Sequence, residues 1–152
     1  MTLRFREAAR ADVPEIVALL VDDDLGRTRE NVNDSSYLAA FQAMEAEPHN
    51  AMIVGELEGR IVAVYQFTLI TGLSLGGTRR AQIEGVRVAS ELRGQGIGAK
   101  LMADAEARAR AGGAGLLQFT SNATRDRAHD FYRRMGFADS HIGFKKPLER
   151  RP

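Results

Sequence analysis

The 152-residue sequence contains no cysteine and no tryptophan, and only three tyrosines and three histidines. Without cysteine there are no disulfides, no thiolate metal sites and no cysteine nucleophile, so any group transfer runs without a cysteine-bound intermediate. His49, His129 and His141 are scattered, with no pair at the i, i+4 spacing of a helical metal site, and a cofactor is expected to be organic. No apolar run approaches a membrane span, and the opening MTLRFREAARAD lacks the apolar stretch of a signal peptide, which predicts a cytoplasmic protein. Neither sign of charge dominates: 21 basic against 20 acidic residues leave +1, no electrostatic footprint for nucleic acid. The Arg-Arg pairs at 79–80, 133–134 and 150–151 are dispersed and read as solvated surface.

The length predicts one domain over 1–152, large enough to fold on its own core. Leu3 and Phe5 alternate with Arg4 and Arg6 as a short edge strand would. A helix then starts at Asp12, with Pro14 in its first turn, Glu15 completing a capping box, and Val13, Ile16, Val17 and Leu20 as its buried stripe. Residues 21–34 read as a polar loop and Tyr37–Ala46 as a second helix. The run 51–70 is a hairpin turning at Glu58-Gly59, and 71–80 is a loop. In the next strand, RAQIEGVRVA, Ile83 is out of phase with Val86 and Val88, and such a slip at Glu84-Gly85 is what a β-bulge would produce; a buried strand that contains a glycine is the alternative.

Residues 98–113 form a helix with Leu101, Met102 and Ala105 inward, ion pairs Asp104/Arg108 and Glu106/Arg110, and a Gly112-Gly113 stop. LLQFTS is a strand, 122–137 a helix with the stripe Ala128, Phe131, Tyr132 and Met135, and two short strands, FADS and IGFKKPL, close the chain. This order predicts a mixed α/β sheet with helices on its faces, 82–120 supplying a parallel pair with a right-handed crossover.

Gly94, Gly96 and Gly98 lie between the bulged strand and its helix. Glycines before a helix N-terminus let an anion approach unpaired amides and the positive end of the dipole, which predicts a phosphate or pyrophosphate site; a tight structural turn is the alternative. Gly94-Gln95-Gly96-Ile97-Gly98-Ala99 also fits the dinucleotide fingerprint, but no acidic residue stands between Glu106 and Asp126 to hold a ribose, and a second nucleotide-binding half is missing. No G-K-[ST] comes after the glycines, which excludes a Walker loop.

Arg93-Gly94-Gln95-Gly96-Ile97-Gly98 resembles the acetyl-CoA signature of the GCN5-related N-acetyltransferase (GNAT) superfamily. The likeness runs from Leu3 to Leu148 and includes the downstream Asn122 and FYRRMGF segment. It implies an α/β GNAT-like acyl-CoA N-acyltransferase fold with about seven strands and four helices, and acetyl-CoA as cofactor. The pyrophosphate would lie on the amides of Gly94 to Ala99 after Arg93, and the pantetheine arm along the backbone of Val86, Arg87 and Val88. Asn122 would contact the cofactor, or else cap the following helix. A carboxylate at the bulge acts as base in several members, which points to Glu84, otherwise a surface glutamate. Tyr132 matches the tyrosine that donates to the leaving sulfur, or is a buried core tyrosine.

The resemblance further implies direct acetyl transfer to a primary amine of a small molecule or peptide, and a homodimer. A non-catalytic acyl-CoA-binding or regulatory domain is the alternative. The acceptor would enter near 21–36, 70–80 and 138–146, where Asp22, Asp23 and Asp24 either attract a cationic amine or form a solvated acidic loop.

Overall fold

The computed structural model describes residues 2–22 and 35–149. These divide into two compact units, one through Phe119 and the other from Thr120. The first unit holds a five-stranded sheet in the order β1-β2-β3-β4-β5: β1 (Arg4–Glu7), β2 (Asn50–Leu57), β3 (Arg60–Ile70), β4 (Arg80–Val88) and β5 (Leu116–Gln118). All neighbours are antiparallel except β4 and β5, which are parallel. Helices α1 (Val13–Val21), α2 (Ser36–Glu45) and α3 (Ile97–Ala111) belong to this unit, and α4 (Asp126–Arg134) to the second.

The hairpin turns where expected: Leu57 pairs with Arg60, and Glu58 and Gly59 both have positive φ, at 52° and 77°. That is the backbone of a type I′ turn, whose twist matches the flanking strands. Strand β3 is the core of the sheet, buried on both faces at Ile61, Val62, Ala63, Val64 and Tyr65. On the odd-numbered face α3 buries Leu101, Met102 and Ala105 as predicted, together with Ile97 and Ala109. Both ion pairs of α3 form, Asp104–Arg108 at 2.8 Å and Glu106–Arg110 at 2.7 Å. Its end is a Schellman motif: the Gly113 N–H donates to the Arg110 carbonyl and the Ala114 N–H to that of Ala109, with Gly113 left-handed.

Three expectations change. Asp12 stands at the N-cap of α1 but makes no side-chain cap bond to that helix; its carboxylate takes the Arg6 guanidinium at 2.7 and 3.1 Å and accepts the Ala9 amide at 2.7 Å, which caps the short 3-10 turn Arg10–Asp12 before it. Glu15 makes no capping box, because its carboxylate accepts the Ile61 amide at 3.1 Å, and Leu19 rather than Leu20 is fully buried. The sheet has five strands, not about seven, among the described residues: FADS and IGFKKPL join no ladder, with Ile142, Phe144 and Leu148 exposed. Alternation supplies a strand's side chains, but a strand exists only where a neighbour completes its hydrogen bonds.

In the second unit α4 starts later than expected, and its stripe of Ala128, Phe131 and Tyr132 is half-buried, with Met135 exposed. It ends in a second Schellman motif: Gly136, at φ 93°, donates to Arg133 and Phe137 donates to Tyr132. No helix among the described residues is long and apolar enough to cross a membrane.

Candidate active site

The phase slip in β4 is a bulge. Arg87 pairs with Val64 and Glu84 with Gln66, so Gly85 and Val86 together oppose Tyr65, and Gly85 sits at φ 61°. A left-handed glycine in the first bulge position is the G1 arrangement, which bends the strand and re-aims the residues beyond it. The parallel ladder between β4 and β5 covers only Arg80 to Gln82, so β4 runs on through Glu84, Val86 and Val88 without a β5 partner. Glu84 is exposed, Val86 and Val88 are half-buried, and Arg87 is buried, its Nη1 donating to the Val86 carbonyl at 2.9 Å.

Beyond β4 a 3-10 turn (Ser90–Leu92) leads into the glycine loop. Gly94 and Gly96 have φ of 78° and 82°, and a Cβ at either would meet nothing within 4 Å. Left-handed backbone explains why both are glycine; the open space above them leaves the main chain approachable. Gly96 is the N-cap of α3, so the amides of the first turn, Ile97, Gly98 and Ala99, point out of the helix start, while the Ile97 side chain is buried.

Arg93 does not reach over this loop. Its Nε donates to the Val88 carbonyl at 3.2 Å and its Nη2 to the Asp22 carbonyl at 2.8 Å. Gln95 likewise turns back to the Glu91 carbonyl at 3.3 Å. The Asp22 carboxylate accepts the Ser90 amide at 3.2 Å, so this aspartate fastens the end of α1 to the loop. Asp23 and Asp24 lie outside the described residues.

Two features were not anticipated. Tyr65, fully buried opposite the bulge, donates to Asp104 of α3 at 2.5 Å, and Arg108 donates to the same carboxylate oxygen. Burial, and then this carboxylate, push the Tyr65 phenol far above its usual range, so it stays a donor. The second feature is a polar row on the even-numbered face, where strand register puts Asn50, Gln66, Thr68, Arg80, Gln82, Glu84 and Gln118 on one side. The Gln66 amide and the Thr68 hydroxyl donate to Asn50 Oδ1 at 2.9 and 3.2 Å. Gln118 Nε2 donates to Gln82 Oε1 at 2.9 Å, and Arg80 Nη1 approaches Gln118 Oε1 at 3.4 Å. Arg79 and Arg80 are therefore half-buried rather than solvated surface, Arg79 donating to the Gly112 carbonyl at 2.7 Å. Alternating polar residues in β3 and β4 were the available signal, masked because β3 is otherwise apolar throughout.

Asn122 and Tyr132 belong to the second unit. Asn122 Oδ1 accepts the Thr124 amide at 3.0 Å and its hydroxyl at 2.7 Å, a turn leading towards α4. Tyr132 is half-buried on α4, in edge contact with Phe131 at 5.5 Å and with Phe137 at 6.4 Å between ring centres.

The acetyltransferase (GNAT) family model matches residues 15–137, a span that includes the bulge, the glycine loop, Asn122 and Tyr132. The chain belongs to the GNAT family. This N-acetyltransferase-family chain is 31% identical over 147 residues to an aminoalkylphosphonate N-acetyltransferase of Salmonella typhimurium, covering 94% of this chain and 90% of the relative. Among solved structures it is similar to a transcriptional regulator from Bacillus halodurans, with a TM-score of 0.93 and 39% identity over 97% of this chain and all of that one. An acetyltransferase from Trypanosoma brucei shares the GNAT fold at a TM-score of 0.79 and 23% identity, covering 97% of this chain and 100% of the other.

Proposed function

We propose that the protein is an acetyl-CoA-dependent N-acetyltransferase that acts directly on a primary amine of a small molecule or peptide. The observation that carries the reading is the pair of left-handed glycines, open above their backbones, between a bulged strand and a helix N-terminus in a GNAT-family chain. Such a cradle fits a pyrophosphate, whose charge the amides of Gly94 to Ala99 and the α3 dipole would hold. In this reading Arg93 and Gln95 shape the loop by gripping carbonyls. The backbone of Val86, Arg87 and Val88, unladdered by β5, pairs with the pantetheine arm as an added strand would. Asn122 supplies a further polar contact to the cofactor.

Bound acetyl-CoA supplies a thioester carbon open to attack by an amine. A primary alkylamine of pKa ~10.4 reaches the site as an ammonium and has to lose a proton first. Glu84, exposed on the even face of β4, takes that proton. Backbone amides freed by the bulge stabilise the growing oxyanion, and the Tyr132 hydroxyl protonates the departing sulfur. With no cysteine to carry the acetyl group, direct transfer is the preferred route: the amine nitrogen adds to the thioester carbon, the carbon–sulfur bond breaks as the tetrahedral adduct collapses, and the adduct's remaining surplus N–H proton replaces the one Tyr132 gives to sulfur. The whole chain acts as one acetyltransferase domain, and a cytoplasmic homodimer completes the reading on family likeness; sedimentation of the purified protein tests the dimer.

The similarity to a transcriptional regulator favours a second reading, a non-catalytic acyl-CoA-binding regulatory domain. Turnover separates the two. Acetyl-CoA consumption stimulated by an amine, with kcat lowered ~10²-fold or more in Tyr132→Phe, is the expected result for an enzyme that uses this acid. Slow hydrolysis unchanged by amines and by Tyr132→Phe would establish the regulatory reading.

A further inference from the structure

Arg80 is the charge on the even face of the sheet whose setting calls for a ligand. It lies half-buried at the start of β4, and its one hydrogen bond among the described residues is the long 3.4 Å approach to the neutral Gln118 amide. No carboxylate among the described residues lies within ion-pair distance of it. A guanidinium holds five donors in a planar fork suited to an oxyanion, and this one is half-buried with no counter-charge among the described residues. Its neighbours also have capacity left over: Gln82 spends its oxygen on Gln118 and Gln66 its amide nitrogen on Asn50, which leaves the Gln82 amide donor and the Gln66 oxygen facing the same side.

The row has two ends of opposite sign. Arg80 turns along the strand to the Gln82–Gln118 pair, and Glu84 comes after Gln82 on the same face, two residues or ~7 Å further on. We infer that this row is the acceptor subsite and that it takes a short primary amine carrying an oxyanion, with the ammonium at Glu84 and the oxyanion at Arg80, Gln82 and Gln118. The assignment rests on the acetyl-transfer reading for the role of Glu84 but stands on Arg80 for the choice of substrate. A diamine or polyamine would bring its second cation against Arg80, and a neutral amine would leave the guanidinium without a counter-charge.

The test uses four acceptors of similar length: 2-aminoethylphosphonate, β-alanine, propylamine and 1,3-diaminopropane. Binding of each is measured by calorimetry with CoA present, and kcat/KM is measured with acetyl-CoA, in the wild type, Arg80→Gln and Arg80→Lys. The expected result is that the oxyanion-bearing amines bind at least tenfold more tightly than propylamine, that Arg80→Gln abolishes this preference, and that Arg80→Lys restores part of it. The phosphonate and carboxylate arms decide which oxyanion fits better. Preference for propylamine or the diamine, or a preference that survives Arg80→Gln in a folded variant, overturns the inference. Because binding is read without chemistry, Arg80-dependent binding with no turnover would uphold the subsite while defeating the acetyl-transfer reading.

Discussion

Asp12 shows how a single side chain escapes a local rule. Its position before an apolar helix reads as a cap, yet Arg6 in the preceding strand offers a full positive charge and two parallel N–H donors, a stronger partner for a carboxylate than the helix's backbone amides. The Arg6 hydrogen bonds, helped by the Ala9 amide, hold the Asp12 carboxyl below its ordinary range against the opposing effect of burial. A carboxyl depressed in the folded state adds stability that is complete above its unfolded pKa of ~3.9 and is lost as pH falls through the lower folded value. Urea unfolding should therefore show stability declining below about pH 4, with a shallower decline in Asp12→Asn and a loss of ~1–3 kcal/mol in that variant at pH 7. Equal slopes in the two proteins would mean that other carboxylates govern acid unfolding. Tyr65 belongs to the same scale: its hydroxyl is buried against Asp104, so Tyr65→Phe should lower stability by ~1–3 kcal/mol, and thermal unfolding with no shift would show that Arg108 alone satisfies that carboxylate.

At the scale of elements, legibility tracks the range of the forces involved. The Glu58-Gly59 hairpin, the bulge at Gly85 and the Gly113 helix stop were readable because each depends on backbone conformations that a few adjacent residues decide. The polar row with Arg80 was not, because only strand register brings Asn50, Gln66, Gln82 and Gln118 to one side. The two terminal strands failed for the complementary reason: IGFKKPL has suitable alternation, but its ladder partner is not encoded within it. The glycine loop makes a prediction at this scale. Gly96→Ala places a Cβ in open space but on left-handed backbone, so it should cost only ~1–2 kcal/mol of stability. If the loop cradles pyrophosphate, the same variant should weaken acetyl-CoA binding at least tenfold in calorimetry, because the added methyl group stands where the anion approaches. Unchanged affinity would assign the glycines to turn geometry alone.

For the whole molecule, the family match reaches from α1 to the end of α4 and so takes in residues of both compact units. A ligand that binds only the folded chain raises its stability by mass action, ~2.7 kcal/mol at one hundred times its Kd, which for a chain of this size moves the melting temperature by about 5–10 °C. The glycine pattern fits both a CoA pyrophosphate and a dinucleotide, but the strand after the glycine-loop helix is β5, only three residues long and without the acidic residue a ribose requires. Thermal unfolding with acetyl-CoA, CoA and NADH at matched concentrations should therefore give shifts of that size for the first two and none for NADH. Acetyl-CoA and CoA share the pyrophosphate and the pantetheine arm, so similar shifts would place most of the binding energy on the loop amides and the β4 backbone. A shift with acetyl-CoA alone would instead put it at the acetyl group beside the bulge, and a shift with NADH alone would overturn the acetyl-CoA assignment.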